Sequence, residues 1–295
     1  MEASLLELKN KAGEAWEILS ACRLCPRECD VDRLKGEKGS CALTSGSYIS
    51  SFGAHFGEEP PLVGRHGSGT IFFTSCNLHC CYCQNYDISQ LRVGYKITAE
   101  ALAEVMLSLE ARGCHNINLV TPTHQVPQIL KALVMAVGKG LRLPIVYNCG
   151  GYESLEVIKL LDGVVSIYMP DIKYADPEVA KKLSAAPDYP RVVKKVVKEM
   201  HRQVGDLIIN ENGVAEKGLL IRHLVLPNRL AGTKEVVRFI AGEISKDSYV
   251  NIMDQYRPCY LADNYERLAR RITRKEYKEA IDWAKKEGLH RGFIC

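Results

Sequence analysis

The stretch "FFTSCNLHCCYCQNYDIS" holds four cysteines, Cys76, Cys80, Cys81 and Cys83, within eight residues. Cys76, Cys80 and Cys83 have the spacing C-x3-C-x2-C and follow an apolar, β-branched run. Three thiolates on one tight loop suit a cubane iron–sulfur cluster, for which cysteine is the usual ligand. Cys81 is adjacent to Cys80, so its side chain diverges from the set. A fourth iron would then lack a protein ligand and stand open to a cofactor, as a catalytic zinc site keeps one position free. The competing reading joins Cys80-x2-Cys83 to Cys22-x2-Cys25 as a closed zinc site, although about 50 residues between halves exceeds the usual spacing.

A second set, Cys22-x2-Cys25-x3-Cys29-x11-Cys41, lies among prolines and glycines. Its four thiols are enough to close a site, either structural zinc or an auxiliary iron–sulfur cluster. Cys114, Cys149, Cys259 and Cys295 are isolated and read as small buried hydrophobes. Twelve cysteines in two clusters and four singles suggest metal rather than disulfides, because the N-terminus mixes acidic with apolar residues and is no signal peptide. No apolar run approaches the roughly 20 residues of a membrane helix. A cytoplasmic protein is expected. A net charge of +4 is too mild a balance to argue for nucleic acid.

The elements that must position these residues are legible from residue 70 onward. Apolar runs at 70–75, 116–122, 144–149, 164–173, 219–227 and 249–254 predict strands, and the segments between them carry helical spacing, including a long helix from Asp176 to about Val204. Six β/α units imply parallel strands and right-handed crossovers. Polar residues recur where the strands end: Thr121 to His124, Asn148, Asp171 and Lys173, Asn228, and Asp254 with Gln255. That recurrence favours an α/β fold with a partial (β/α)6 TIM-type barrel, whose active site gathers at the C-terminal rim. Residues 1–65 read as an N-terminal helix and a Cys-rich metal-binding module ending in loop, 66–260 as the barrel, and 261–295 as a C-terminal helical cap.

"CNLHCCYCQN" resembles the cluster loop of the radical S-adenosylmethionine (SAM) enzymes, with Tyr82 where that superfamily packs the adenine. The flanking "GTIFFTSCNLHCCYCQN", together with "CRLCPRECDVDRLKGEKGSC", "GEEPPLVGRHGSG", "NINLVTPTH", "YNCGGYES" and "YMPDIKY", resembles the glycyl-radical-enzyme activating enzymes, in particular the pyruvate formate-lyase activating enzyme-like group. The similarity runs from about Cys22 to Asp254. It implies a [4Fe–4S] cluster on Cys76, Cys80 and Cys83 that binds SAM through its open iron. A flavodoxin- or ferredoxin-type donor would supply the electron, and the 5′-deoxyadenosyl radical would take hydrogen from a glycyl radical enzyme or another protein or peptide. It also points to a group-specific second metal site at Cys22, Cys25, Cys29 and Cys41.

Further cofactor contacts follow from the same resemblance. Asp171 and Lys173 supply the D-x-K element that activating enzymes carry at a strand end. Asn118 and Thr121 occupy the place of the SAM amino-group contact, although the common Gly-Gly-Glu form is absent. Asn148 and Arg222 or His223 are the next candidates, and strand geometry lets only one of that adjacent pair point inward. Gln255 and Tyr256 would line the substrate side. Gly150 and Gly151 allow either close approach to a ligand or a turn. His55, Glu58 and Glu59 read as cluster-facing or as solvated loop. Two other functions remain open at this point: radical modification of a small molecule, peptide or RNA, and a non-catalytic zinc-stabilised interaction protein.

Overall fold

The computed structural model describes residues 2–293, so Cys295 lies outside the described residues. Among the described residues there are nine strands: β1 (Ser47–His55), β2 (Ser68–Phe73), β3 (Tyr95–Ile97), β4 (Ile117–Val120), β5 (Ile145–Cys149), β6 (Ile167–Pro170), β7 (Ile208–Ile209), β8 (Ala215–Leu224) and β9 (Tyr249–Met253). The six expected strands, β2, β4, β5, β6, β8 and β9, pair side by side in that order, and every pair is parallel. The result is an open α/β sheet of the partial-barrel kind.

Because successive side chains in a strand alternate faces, the six strands sort their residues into two cores. Val146, Ile167, Met169 and Leu220 meet Leu62 and Leu207 in a small apolar floor inside the barrel. Ile145, Tyr147, Tyr168 and Ile221 face the other way, into a larger core beneath the helices. Full burial of each such side chain stabilises the fold by about 1.5–3 kcal/mol. On the inner face, the positions two residues beyond Val146 and Leu220 are Asn148 and Arg222. The barrel changes from apolar to polar toward its C-terminal rim.

The segment after the second cysteine set departs from expectation. Residues 50–55, which read as loop, form part of β1, which runs antiparallel along β2 with Phe52 opposite Ile71 and Gly53 opposite Thr70. Ser51 and Gly53 dilute the alternation that would mark a strand. Pairing with β2 supplies what the side chains do not signal. The short β3 pairs with the far side of β1.

The long helix expected from Asp176 to Val204 is two helices, Pro177–Ser184 and Tyr189–Val204. Ala185 takes a left-handed conformation at the break, and Pro187 follows it. The C-terminal helix Arg274–Lys286 starts with a Thr273/Glu276 capping box, and its Tyr277 hydroxyl donates to the Ile252 carbonyl of β9 at 3.1 Å. At the other end of the chain, the helix Leu5–Glu17 is capped by Ser4 and Glu7, and it packs on the helix Val126–Gly138. Among the described residues no helix is long and apolar enough to cross a membrane.

Candidate active site

Beyond β2 the chain turns through Ser75, which has φ 71° and donates its N–H to the Ile88 carbonyl at 2.8 Å. The turn delivers Cys76, Cys80 and Cys83 to one cavity of about 220 Å³ at the rim. Thr121, Asn148, Asp171, Lys173 and Arg222 line the same cavity. The three thiols are close enough to influence one another: burial pushes the Cys76 thiol up, and Cys80 and then Cys83 push it further. Burial likewise raises Cys80, with Lys173 opposing. Thiolate charge at this wall therefore has a cation beside it.

Cys81 points elsewhere. Its N–H donates to the Leu183 carbonyl at 2.9 Å, its own carbonyl accepts from Leu261 N–H at 2.8 Å, and it does not line the cavity. Its thiol is pushed up to about 11, first by burial and then by Cys80. Among the described residues no three Cys, His, Asp or Glu side chains are arranged to hold a single metal ion. Three thiols on one wall of a cavity, with no fourth protein ligand beside them in its lining, suit a cluster with one open iron.

Asp171 is the hub of the charged rim. Its Oδ2 accepts from Lys173 Nζ at 2.6 Å and its Oδ1 from Arg222 Nε at 2.9 Å. Burial opposes ionisation of this carboxyl, but Arg222 and then Lys173 outweigh it and hold it below the usual carboxylate range. Arg222 Nη2 also donates to Asn148 Oδ1 at 2.8 Å, and Nη1 lies 3.8 Å from Glu59 Oε1, which accepts from Asn251 Nδ2 at 3.2 Å. A guanidinium and an ammonium fixed by one carboxylate can receive the carboxylate of an amino-acid cofactor without moving.

Residues 70–214 match the family described as "Radical SAM superfamily". The chain belongs to the radical SAM superfamily. It is 32% identical to the "Uncharacterized protein MJ0674" of Methanocaldococcus jannaschii over 98% of this chain and 81% of that protein. Among solved structures, a radical SAM methyltransferase from Sphaerobacter thermophilus superposes with a TM-score of 0.52 at 13% identity, covering 76% of this chain and 65% of that one. HydG, a maturase of the [FeFe]-hydrogenase, gives 0.51 at 14%, covering 75% and 49%. The chain spans less than two thirds of either solved chain, and at these identities the likeness is one of fold. Membership makes the chain an enzyme of SAM cleavage and removes the reading as a non-catalytic zinc protein.

Within this radical SAM barrel, pleat direction separates Arg222 from His223. Arg222 faces the cavity. His223 is fully buried on the opposite side, with Nδ1 2.6 Å from the Ile172 carbonyl and Nε2 2.9 Å from Thr233 Oγ1. Burial lowers its pKa to about 4, so it is a neutral pin between β8 and a helix, and it leaves the set of cofactor contacts. Asn118 faces inward two residues below Val120, outside the cavity lining, and neither side-chain amide atom has a protein partner. Thr121 does line the cavity, at φ 59°, a costly conformation for a β-branched residue.

Tyr82 lines the cavity with its hydroxyl directed away into a buried chain of hydroxyls. Tyr82 Oη is 2.6 Å from Tyr174 Oη, which is 2.7 Å from Ser184 Oγ, and Ser184 donates to Cys80 Sγ at 3.0 Å. Tyr256 packs its ring on Tyr82 at 5.9 Å, so it supports that ring from behind instead of lining the cavity, whereas Gln255 does line it. Gly151, at φ 75°, abuts Asp171: a Cβ there would come within 2.4 Å of the Asp171 carbonyl. His124 Nε2 is 2.7 Å from the Thr74 carbonyl, and burial lowers its pKa to about 4. It fixes the base of the cluster loop. His55 Nδ1 lies 3.1 Å from Glu58 Oε1, and burial raises the Glu58 carboxyl.

Three contributors carry little or no signal in the sequence. Ser184 touches Cys80 from about a hundred positions away, with no local signal. Tyr174 directly follows the D-x-K element, which was the available hint. Tyr189 bridges the rim: its hydroxyl lies 2.9 Å from the Gly150 carbonyl and 2.8 Å from the Asp171 carbonyl, and accepts Lys173 N–H at 2.9 Å.

Proposed function

We propose that this radical SAM enzyme abstracts hydrogen from a glycine of a partner polypeptide, in the manner of activating enzymes. A [4Fe–4S] cluster on Cys76, Cys80 and Cys83 would supply the electron that cleaves SAM to a 5′-deoxyadenosyl radical. The chain's own groups bind and orient: Lys173 and Arg222 receive the methionine carboxylate, Asn148 and Thr121 offer polar contacts beside it, and the Tyr82 ring provides an apolar wall for the adenine. An external flavodoxin or ferredoxin would deliver the electron.

The observation that supports a polypeptide substrate is the size of the chamber. Small-molecule pockets usually run from about 300 to 1,000 Å³. The rim cavity is about 220 Å³, and the apolar floor of Leu62, Val146, Ile167 and Met169 fills the barrel below it. Bound SAM would take all of that space and extend into the open rim, so a second small molecule would find no buried room beside it there. The hydrogen donor would therefore approach from outside, on a segment laid across the rim beside Gln84 and Gln255, where Gln84 Nε2 donates to the Gln255 carbonyl at 3.0 Å.

The test is isotopic. The anaerobically reconstituted protein, SAM and dithionite are incubated with candidate glycyl radical enzymes carrying α-deuterated glycine. Deuterium in 5′-deoxyadenosine and a glycyl doublet in the electron paramagnetic resonance (EPR) spectrum are expected. Deuterium arriving instead from a labelled small molecule or RNA, with none from polypeptide, would overturn the reading.

A further inference from the structure

Arg33 is fully buried, and its partners are unusual for a buried cation. Nε and Nη2 donate to the Thr44 carbonyl at 3.1 and 2.7 Å, and Nη1 donates to the His124 carbonyl at 2.9 Å. Nη1 also lies 3.8 Å from Cys22 Sγ. Among the described residues Arg33 has no carboxylate partner, whereas the partly buried cations of the rim, Lys173 and Arg222, both have Asp171. A buried charge without a counter-charge costs several kcal/mol. The anion that would balance Arg33 has to come from the group it faces.

It faces the four cysteines of the N-terminal knot. The Cys22 N–H donates to the Val31 carbonyl at 3.0 Å and Asp30 N–H returns to the Cys22 carbonyl at 3.2 Å, closing the first turn. Cys29 Sγ accepts the Ser40 N–H at 3.3 Å, which brings it beside Cys41. Cys41 is within electrostatic reach of Cys22, Cys29 and Arg33, and Cys25 of Cys22 and Cys41. Glu28, Asp30 and Ala42 hold φ of 39°, 53° and 58°, three left-handed non-glycine residues in one short segment. Such strain persists where something else fixes the backbone.

We infer that Cys22, Cys25, Cys29 and Cys41 ligate a second, coordinatively closed iron–sulfur centre whose negative charge is balanced by the buried Arg33. Four thiolates outweigh the positive core of a [4Fe–4S] unit, so the centre supplies the missing anion. Four cysteines with no histidine or carboxylate among them are the donor set a [4Fe–4S] unit takes, and metal content separates that centre from zinc. The knot also grips the back of the rim loop: Cys76, Leu78, Cys80 and Tyr82 line the cavity, while the intervening Asn77 and His79 are held by the knot. Arg27 Nε donates to the Asn77 carbonyl at 2.9 Å, and Ser40 Oγ lies 2.8 Å from His79 Nε2. The two centres would stand on opposite faces of one loop.

The inference goes beyond the proposed function, and separate variants empty the two sites, so their failures are distinguishable. Wild-type protein reconstituted anaerobically should hold about eight irons per chain, and the C76A/C80A/C83A variant about four with matching sulfide. The reduced variant should give an EPR signal that SAM does not alter. Arg33→Met should move the midpoint potential of that signal to more negative values, since a nearby positive charge favours the reduced, more anionic centre, and should leave the SAM-responsive signal in place. A C76A/C80A/C83A protein without iron, prepared beside a wild type that holds it, would overturn the inference. One zinc per chain in the variant and no iron would overturn it equally. Because this variant keeps the knot intact, the decision stands even if the knot's own cysteine variants fail to fold.

Discussion

The two cysteine segments sit back to back, yet they handle charge in different ways. At the rim, Lys173 and Arg222 share Asp171, and Arg222 reaches on to Glu59, so every cation has an anion among the side chains. In the knot, Arg33 has only carbonyls and a sulfur. A site whose protein charges are already balanced can receive and release an ionic cofactor without stranding a charge. A site that leaves a cation unbalanced is stable only with its occupant in place. The rim has the electrostatics of an exchangeable site, and the knot, with the centre proposed above, would have those of a permanent one.

The largest effect should come from within the rim loop itself. Cys80→Ala is expected to abolish 5′-deoxyadenosine formation, by more than about 10³-fold, while Cys81→Ala, whose thiol lies outside the cavity, retains most of it. Chromatographic assay of 5′-deoxyadenosine under dithionite checks both, and equal losses would break the division of the four cysteines. Lys173→Met removes one of the two cations held by Asp171, and SAM cleavage should fall by about 10²–10³-fold with a weaker Kd for SAM. A change in turnover with unaltered SAM affinity would place Lys173 outside cofactor binding.

Glu153 tests the seam between the two regions. Burial raises its pKa to about 7, although Thr123 Oγ1 and Tyr147 Oη donate to it at 2.8 and 2.9 Å, and it lies within electrostatic reach of Cys25. Its folded-state pKa is above the unfolded value, so stability is full below about pH 4.5 and is lost as pH rises through 7. Between pH 5 and 8 the loss should be about 2–3 kcal/mol. Glu153→Gln should flatten that slope in urea titrations, and an unchanged slope would contradict the assignment. The smallest effect is expected from Tyr174→Phe, which breaks the hydroxyl chain between Tyr82 and Ser184. Stability should drop by about 1–2 kcal/mol. The cluster signal should shift slightly, because Ser184 loses the partner that orients its bond to Cys80.

The six parallel strands were readable because each is a short, nearly continuous β-branched or aromatic run, which is how strands covered on both faces appear. β1 was not, because Ser51 and Gly53 break its pattern and its pairing with β2 is a tertiary matter. The division of the cysteines followed from adjacency and spacing alone. The choice between Arg222 and His223 did not, since pleat direction needs a fixed neighbour, here Asp171 paired in register with Arg222. Pro187 was visible inside the supposed long helix and marked the break. What no local pattern carried is the consequence of that break: it presents the Leu183 and Ser184 carbonyls to the rim loop, at 2.9 Å from Cys81 N and 3.2 Å from His79 N.

The antiparallel pair at the start of the sheet has a bearing on self-association. A six-stranded open barrel would expose the whole length of β2 as an unpaired edge, a template on which a second molecule can add its own strand. The nine-residue β1 covers that edge, and the sheet then stops at β3, three residues long with Tyr95 and Lys96 exposed. A short, lysine-bearing border of this kind offers little backbone for an intruder to pair with. The chain can keep its barrel open on one side without becoming sticky there.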